Sequence, residues 1–201
     1  MTNPKRRGRP PAFQRDAVLD AAMLCFWRSG YDDTSIPDIS EATSLSASSI
    51  YNAFGSKLDL FVAALDRYLG TPTEFMLGPL EHGDGGLTDL EAFLGRLADL
   101  PRLGTPPGCF AVNTLAESAG MPAAVAMRTD RYRMTLRRSL HAALARAAHS
   151  GEIPSSVVES SADALTGIVI AYHLLRSANV PAAETTRLLA AARAIVRGAP
   201  R

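Results

Sequence analysis

Thr34-Ser35-Ile36-Pro37-Asp38-Ile39-Ser40-Glu41-Ala42-Thr43-Ser44-Leu45-Ser46-Ala47-Ser48-Ser49-Ile50-Tyr51-Asn52-Ala53-Phe54-Gly55-Ser56-Lys57 is the stretch on which the fold turns. Three serines in it stand where helices begin. Ser35 precedes a helix with Pro37 in its first turn, where a missing N–H is harmless, and Asp38 at its third position. Ser46 opens a second short helix that runs through Phe54, and Ser56 with Asp59 forms a capping box for a third. Only Thr43-Ser44-Leu45 separates the first two, which makes a helix-turn-helix. Helical spacing turns Ile36, Ile39, Ile50 and Phe54 inward, with Leu45 filling the gap between the helices. Ala47, Ser48, Asn52 and Ala53 then face outward, a surface of small and hydrogen-bonding side chains that can approach base edges closely. The same pattern alone also suits an ordinary helical hairpin in a core.

Upstream, Val18, Ala22, Cys25 and Phe26 recur at helical spacing, so a supporting helix is expected from about Phe13 to Ser29, stopped by Gly30. Residues 1–12 hold Lys5, Arg6, Arg7 and Arg9 without an acid, interleaved with Gly8, Pro10 and Pro11. Such a segment cannot pack a core and reads as a flexible cationic arm. The net charge of +1 over 201 residues hides this asymmetry and by itself favours no partner. A composition 47% hydrophobic and 20% charged excludes collagen-like, purely coiled-coil and mostly disordered chains. Cys25 and Cys109 are too few for a disulfide framework and fit a reducing compartment. No apolar run approaches the roughly 18 residues of a membrane span, and the basic start leads into prolines rather than an apolar leader. A cytoplasmic protein without membrane association is expected.

Downstream, the pattern stays helical. A helix is expected from Lys57 to about Leu69, then an irregular, mobile stretch from Gly70 through Gly86, because Pro72, Gly78, Pro79, Gly83, Gly85 and Gly86 crowd it. Thr88 is placed as the cap of a helix to about Leu100, followed by a break at Pro101–Gly108, a helix from Cys109 to Ser118 and a long one from Pro122 to His149. The absence of any alternating strand pattern sets the class as all-α. The segment from about Ser156 to Ser177 carries two apolar stripes: Val158, Ala162, Leu165, Val169 and Tyr172, and Val157, Ala164, Ile168, Ala171 and Leu175. A helix apolar on two sides needs cover on both. With Leu188, Ala192 and Ile195 of the last helix, the first stripe is assigned to a four-helix interface in a homodimer; burial inside one chain is the alternative.

The spacing from Thr34 through Phe54-Gly55-Ser56-Lys57 to Leu60-Phe61, preceded by Ala21-Ala22, Phe26 and Gly30-Tyr31, resembles the DNA-binding domain of the TetR/AcrR family of bacterial transcriptional regulators. The resemblance covers residues 13–61. It implies an N-terminal three-helix helix-turn-helix domain there and a C-terminal helical ligand-binding and dimerisation domain over residues 62–201. It implies, further, a homodimeric, ligand-responsive repressor of a palindromic operator in double-stranded DNA. Tyr51 and Lys57 would meet phosphates, the latter helped by a helix N-terminus, and Thr34 or Ser35 would donate to another. Ala47, Ser48 and Asn52, with Ser46 beside them, would face the major groove, and Lys5, Arg6, Arg7 and Arg9 would reach an adjacent groove. One departure is Ser44, where the family usually has glycine; a left-handed backbone there would carry strain.

For a small-molecule effector, Phe93, Cys109, Phe110, Asn113, Tyr132, Tyr172 and His173 are the candidate contacts, against the plainer reading that most of them are core. Cys109 follows Pro106-Pro107-Gly108 near a helix start, where a thiolate is favoured, and the segment resembles a subgroup of the family that senses electrophiles or oxidants. A packed, inert thiol is the alternative. No cofactor or metal is expected: His82, His141, His149 and His173 are scattered, with no metal-ligand cluster, phosphate-cradling loop or nucleophile elbow, so an enzyme is not expected. The rival readings are a non-specific DNA-binding protein, disfavoured by the small charge, and a signalling protein on the same fold that binds no DNA.

Overall fold

The computed structural model describes residues 12–198, which form ten α-helices and two short 3-10 turns, with no strand among the described residues. The chain divides into two compact units, one ending at Arg67 and the other beginning at Tyr68.

In the first unit α1 covers Ala12–Asp33, broken at Gly30 by a backbone at φ 78° and ψ 178°. The expected stop is therefore real, and a last turn follows it. Helix α2 (Ile36–Thr43) opens with a complete capping box in which Ser35 and Asp38 satisfy each other's backbone N–H, with Pro37 in the first turn. Helix α3 (Ala47–Phe54) starts at Ser46, whose hydroxyl accepts from the Ser49 N–H at 3.2 Å. Ser44 between them is left-handed, at φ 56° and ψ 25°. Helix α4 (Lys57–Leu69) begins with the second capping box, Ser56 with Asp59. Leu19, Ala22, Phe26, Ile36, Ile39, Ile50, Leu60 and Phe61 fill the core, with Phe26 and Phe61 edge to face at 4.9 Å. Arg67 of α4 grips Asp20 of α1 with two guanidinium nitrogens and reaches Asp16 at 3.4 Å.

The second unit contains α5 (Thr71–His82), α6 (Leu87–Asp99), α7 (Phe110–Glu117), α8 (Ala123–His149), α9 (Val158–Ser177) and α10 (Ala182–Gly198). Helix α9 lies against α7, α8 and α10, and α6 packs on α5, α8 and α10. Helix α5 corrects the expectation of an irregular stretch. Pro72 lies in its first turn, where no N–H is missed, Pro79 falls late, and Leu77 and Leu80 are buried along its length. The glycines after it serve close approach rather than mobility. A Cβ on Gly86 would stand 2.5 Å from Ala147 Cα, and Arg146 of α8 ties the same loop down by donating to the carbonyl oxygens of Leu80 at 2.8 Å and Gly85 at 3.2 Å and to the Asp89 carboxylate at 2.9 Å. Thr88 is not a cap: α6 begins one residue earlier, after Gly86, with no side-chain cap. Among the described residues no helix is long and apolar enough to cross a membrane.

Candidate functional site

Helix α3 is short because its sequence is a poor helix former, rich in serine and asparagine, and it buries fully only Ile50. Its other faces are free. Ala47, Ser48, Ser49, Tyr51 and Asn52 are exposed, Tyr51 to 47%. The Ser46 hydroxyl lies 2.9 Å from those of both Ser48 and Ser49, so the helix begins in a knot of hydroxyls around its free N–H groups. The result is a shallow, uncharged and strongly hydrogen-bonding helix face projecting from a rigid scaffold.

Residues expected to flank that face divide. Ser35 is exposed, but its hydroxyl donates to the Asp38 carboxylate at 2.6 Å, which holds that carboxyl below its usual range. Thr34 is a correction: it is 2% exposed and its hydroxyl donates inward to the Gly30 carbonyl at 2.6 Å, so it cannot reach a phosphate. That bond secures the break that sends the chain from α1 into α2. Lys57 is half-buried; its ammonium donates to the Asp32 carbonyl at 3.2 Å and lies 4.5 Å from the Tyr31 ring centroid. Lys5, Arg6, Arg7 and Arg9 lie outside the described residues. Sequence reasoning missed Arg15, which donates to the Ala53 carbonyl at 2.8 Å and covers the Phe54 ring at 4.4 Å. Nothing local signals a contact across 38 positions.

In the second unit, Phe93, Cys109, Phe110, Tyr132, Tyr172 and His173 are all buried. Two groupings emerge. Cys109 lies between two phenols: Tyr68 donates to its sulfur at 3.1 Å, and the thiol faces the Tyr132 hydroxyl at 3.5 Å. Tyr68, not singled out in the sequence, is the first residue of the second unit and joins the pair there. This environment matches the packed thiol more closely than a thiolate favoured by the helix start. The Ala111 and Val112 amides and both phenols do pull the thiol pKa down, but burial outweighs them and raises it. Burial likewise pushes both phenols well above their ordinary value.

The second grouping surrounds Gly108, at φ 82°, where a Cβ would stand 2.6 Å from Asn113 Oδ1 and 3.0 Å from the His173 carbonyl oxygen. His173 is held neutral, its pKa pushed down to about 3 by burial and by the nearby Arg176 charge, against a hydrogen bond to the Gly108 backbone. Its Nδ1, Asn113 Oδ1 and Arg176 Nη1 are buried without a hydrogen-bond partner. Tyr172 stacks edge-on with His173 at 5.4 Å and donates to the Leu97 carbonyl at 2.5 Å. Phe93 sits on α6 among Leu90, Leu94 and Leu97. No group of three or more metal-ligating side chains occurs among the described residues.

The side chains assigned to a subunit interface need correction. Val158, Ala162, Leu165, Val169, Tyr172 and Ala192 are enclosed by their own chain, because α7, α8 and α10 already cover that side of α9. A side chain without accessible surface cannot cover a second copy. Leu188 and Ile195 remain half-exposed, and the outward side of α9 is the second stripe: Ala164, Ile168, Ala171 and Leu175, with Gly167 among them.

Two family matches cover most of this architecture: "Bacterial regulatory proteins, tetR family" over residues 18–64, and "Tetracyclin repressor-like, C-terminal domain" over residues 86–192. The chain is similar to the HTH-type transcriptional repressor ComR of Escherichia coli, 40% identical over 123 residues that make up 58% of each chain. It is also similar to the repressor BdcR of the same organism, 36% identical over 32% of each chain, so the match spans less than two thirds of either relative. Among solved structures, a cysteine-substituted form of the TetR family transcriptional regulator CifR, complexed with 26bp double-strand operator DNA, aligns with 96% of this chain and 100% of its own. The TM-score is 0.77 and the identity 29%. The chain belongs to the TetR family of bacterial regulatory proteins.

Proposed function

We propose that the protein is a cytoplasmic, homodimeric transcriptional repressor that places one α3 helix per subunit in the major groove of an inverted-repeat operator. The observation that carries this reading is the exposed face of Ala47, Ser48, Tyr51 and Asn52 on a helix capped by Ser46 and set between two helices that open with capping boxes. Small side chains at the entry of α3 let its backbone approach the bases. Ala47 suits a thymine methyl, Asn52 a purine edge, and the Tyr51 hydroxyl a phosphate. Lys57 serves as a second phosphate contact at the α4 N-terminus, with its ammonium held over the Tyr31 ring. Residues 5–9 supply a basic arm. The repressor names of ComR and BdcR and the operator complex of CifR support the same reading.

Pairing falls to the outward faces of α9 and α10: Ala164, Gly167, Ile168, Ala171 and Leu175 with Leu188 and Ile195. Small residues there permit close helix approach. Two subunits place their α3 helices about 34–36 Å apart, one turn of B-DNA. An effector would act by binding one spacing better than the other. The unpartnered atoms around Gly108 support a polar ligand or bound water in the second unit, and the protonated, buried state of Cys109 supports a packing role for that thiol.

Selection of bound fragments from genomic DNA, followed by gel shifts with single variants, tests this reading. Asn52→Ala should relax preference at one position of each half-site, by about 1–3 kcal/mol. Tyr51→Phe should weaken all sequences alike. No enrichment of any sequence refutes the proposal.

A further inference from the structure

We propose that Arg15 is a positioning residue for the recognition helix, a pin that acts on the bases only through α3; this rests on the function proposed above. Helix α3 spans eight residues and contains Ser48, Ser49, Tyr51 and Asn52, none a strong helix former. Helices so short do not hold their shape unaided. Its start is secured by Ser46, and its last turn leaves carbonyls without intrahelical donors. Gly55 N–H satisfies that of Tyr51, and Arg15 Nη1 satisfies that of Ala53 at 2.8 Å. The guanidinium also sits over Phe54, with Cζ 4.4 Å from the ring centroid. One planar cation therefore closes the backbone end of α3 and holds its terminal aromatic ring, while its positive charge opposes the partial negative charge of that helix terminus. Lysine can serve a carbonyl and a ring together only from one compact ammonium, as Lys57 does with the Asp32 carbonyl and the Tyr31 ring, and it lacks the several fixed donors of a guanidinium. Nor is the contact local, because Arg15 comes from the opening turn of α1, whose next residue, Asp16, is tied to Arg67 of α4. The recognition helix is thus anchored at its far end to the scaffold.

The test compares the full-length parent with Arg15→Ala and Arg15→Lys, and with Leu65→Ala, a buried core position of α4, as a variant destabilised elsewhere in the same unit. Two readouts are taken: amide hydrogen exchange in the absence of DNA, and affinity for a duplex enriched by the parent against a scrambled duplex, across a salt series. A pin predicts faster exchange at Ile50 through Gly55 in both Arg15 variants. It also predicts a roughly tenfold loss of affinity for the enriched duplex with little change for the scrambled one. The salt slope should stay at the parent's value, and lysine should rescue only in part. Leu65→Ala should leave discrimination between the duplexes intact once the folded fraction is allowed for. The proposal is overturned by unchanged exchange in α3, or by faster exchange with undiminished discrimination. It is equally overturned by a salt slope reduced by about 0.9 per subunit with full rescue by lysine, the signature of a direct phosphate contact. A parent that binds no duplex refutes the DNA-binding reading itself, and unchanged or faster exchange then still decides whether Arg15 holds α3.

Discussion

Lowering the pH from about 7.5 to about 5 should weaken the second unit through a single buried imidazole. His173 is fully enclosed beside Gly108, Asn113, Tyr172 and Arg176, and its pKa falls from 6.5 to about 3, burial being the larger cause and the Arg176 charge the second. A group whose folded value is depressed stabilises fully above its unfolded value, and that stability drains away as pH falls toward the folded value. The window therefore runs from 6.5 down to about 3. Each unit inside it removes about 1.4 kcal/mol, so reaching pH 5 removes about 2 kcal/mol. This increment depends on the unfolded value alone, because at pH 5 the folded imidazole is still neutral. For a domain of this size it corresponds to a fall in Tm of roughly 5–10 °C. The carboxylates held low by hydrogen bonds, Asp38, Asp59, Glu159 and Asp163, begin to lose their contribution only as the pH falls past their ordinary values of 3.8 and 4.5, below the pH 5 end of this comparison. Thermal unfolding of the parent and His173→Gln across the range should show the drop in the parent and a correspondingly flatter profile in the variant. Magnetic-resonance titration of the imidazole in the parent gives an independent reading. A ring that titrates near 6.5, or two parallel stability profiles, would refute the reasoning.

Other consequences are equally specific. Ser44→Gly should raise stability by about 0.5 kcal/mol, the relief of a left-handed serine less the greater freedom of glycine in the unfolded chain; equilibrium denaturation measures it, and a loss of stability would contradict the strain at φ 56°. Tyr172→Phe strips the donor from the buried Leu97 carbonyl and should destabilise by about 1–3 kcal/mol in the same assay. At pH 7 a thiol reagent should modify Cys109 at least roughly tenfold more slowly than free cysteine, and rapid labelling would restore the sensor reading. Ile168→Asp should give monomers by sedimentation, whereas Val169→Ala, inside the chain, should lower stability without changing the assembly.

The first unit was legible because its signals are local. Ser35, Ser46 and Ser56 act within three residues of themselves, and Gly30 and Ser44 act through their own backbone angles. Where a residue's role depends on distant partners, the sequence misled. The glycines after α5 looked mobile because Arg146, some 60 positions on, is what fastens them. Thr34 misled for another reason: its partner Gly30 is only four residues away, but the break at Gly30 that turns the hydroxyl inward is a backbone geometry the spacing does not show. Two apolar stripes on α9 were visible, but which one faces the chain's own core depends on where α7, α8 and α10 pack. For Cys109 the sequence revealed the helix start and not the burial that overrides it.

Footprinting of the purified protein on its enriched DNA is the measurement closest to the central claim. The account predicts protection of one discrete inverted repeat, its half-sites centred about 10 base pairs or a multiple of that apart, and loss of that protection on Asn52→Ala or on dissociation into monomers. Uniform protection of long tracts, or none at any duplex sequence at moderate salt, would contradict it.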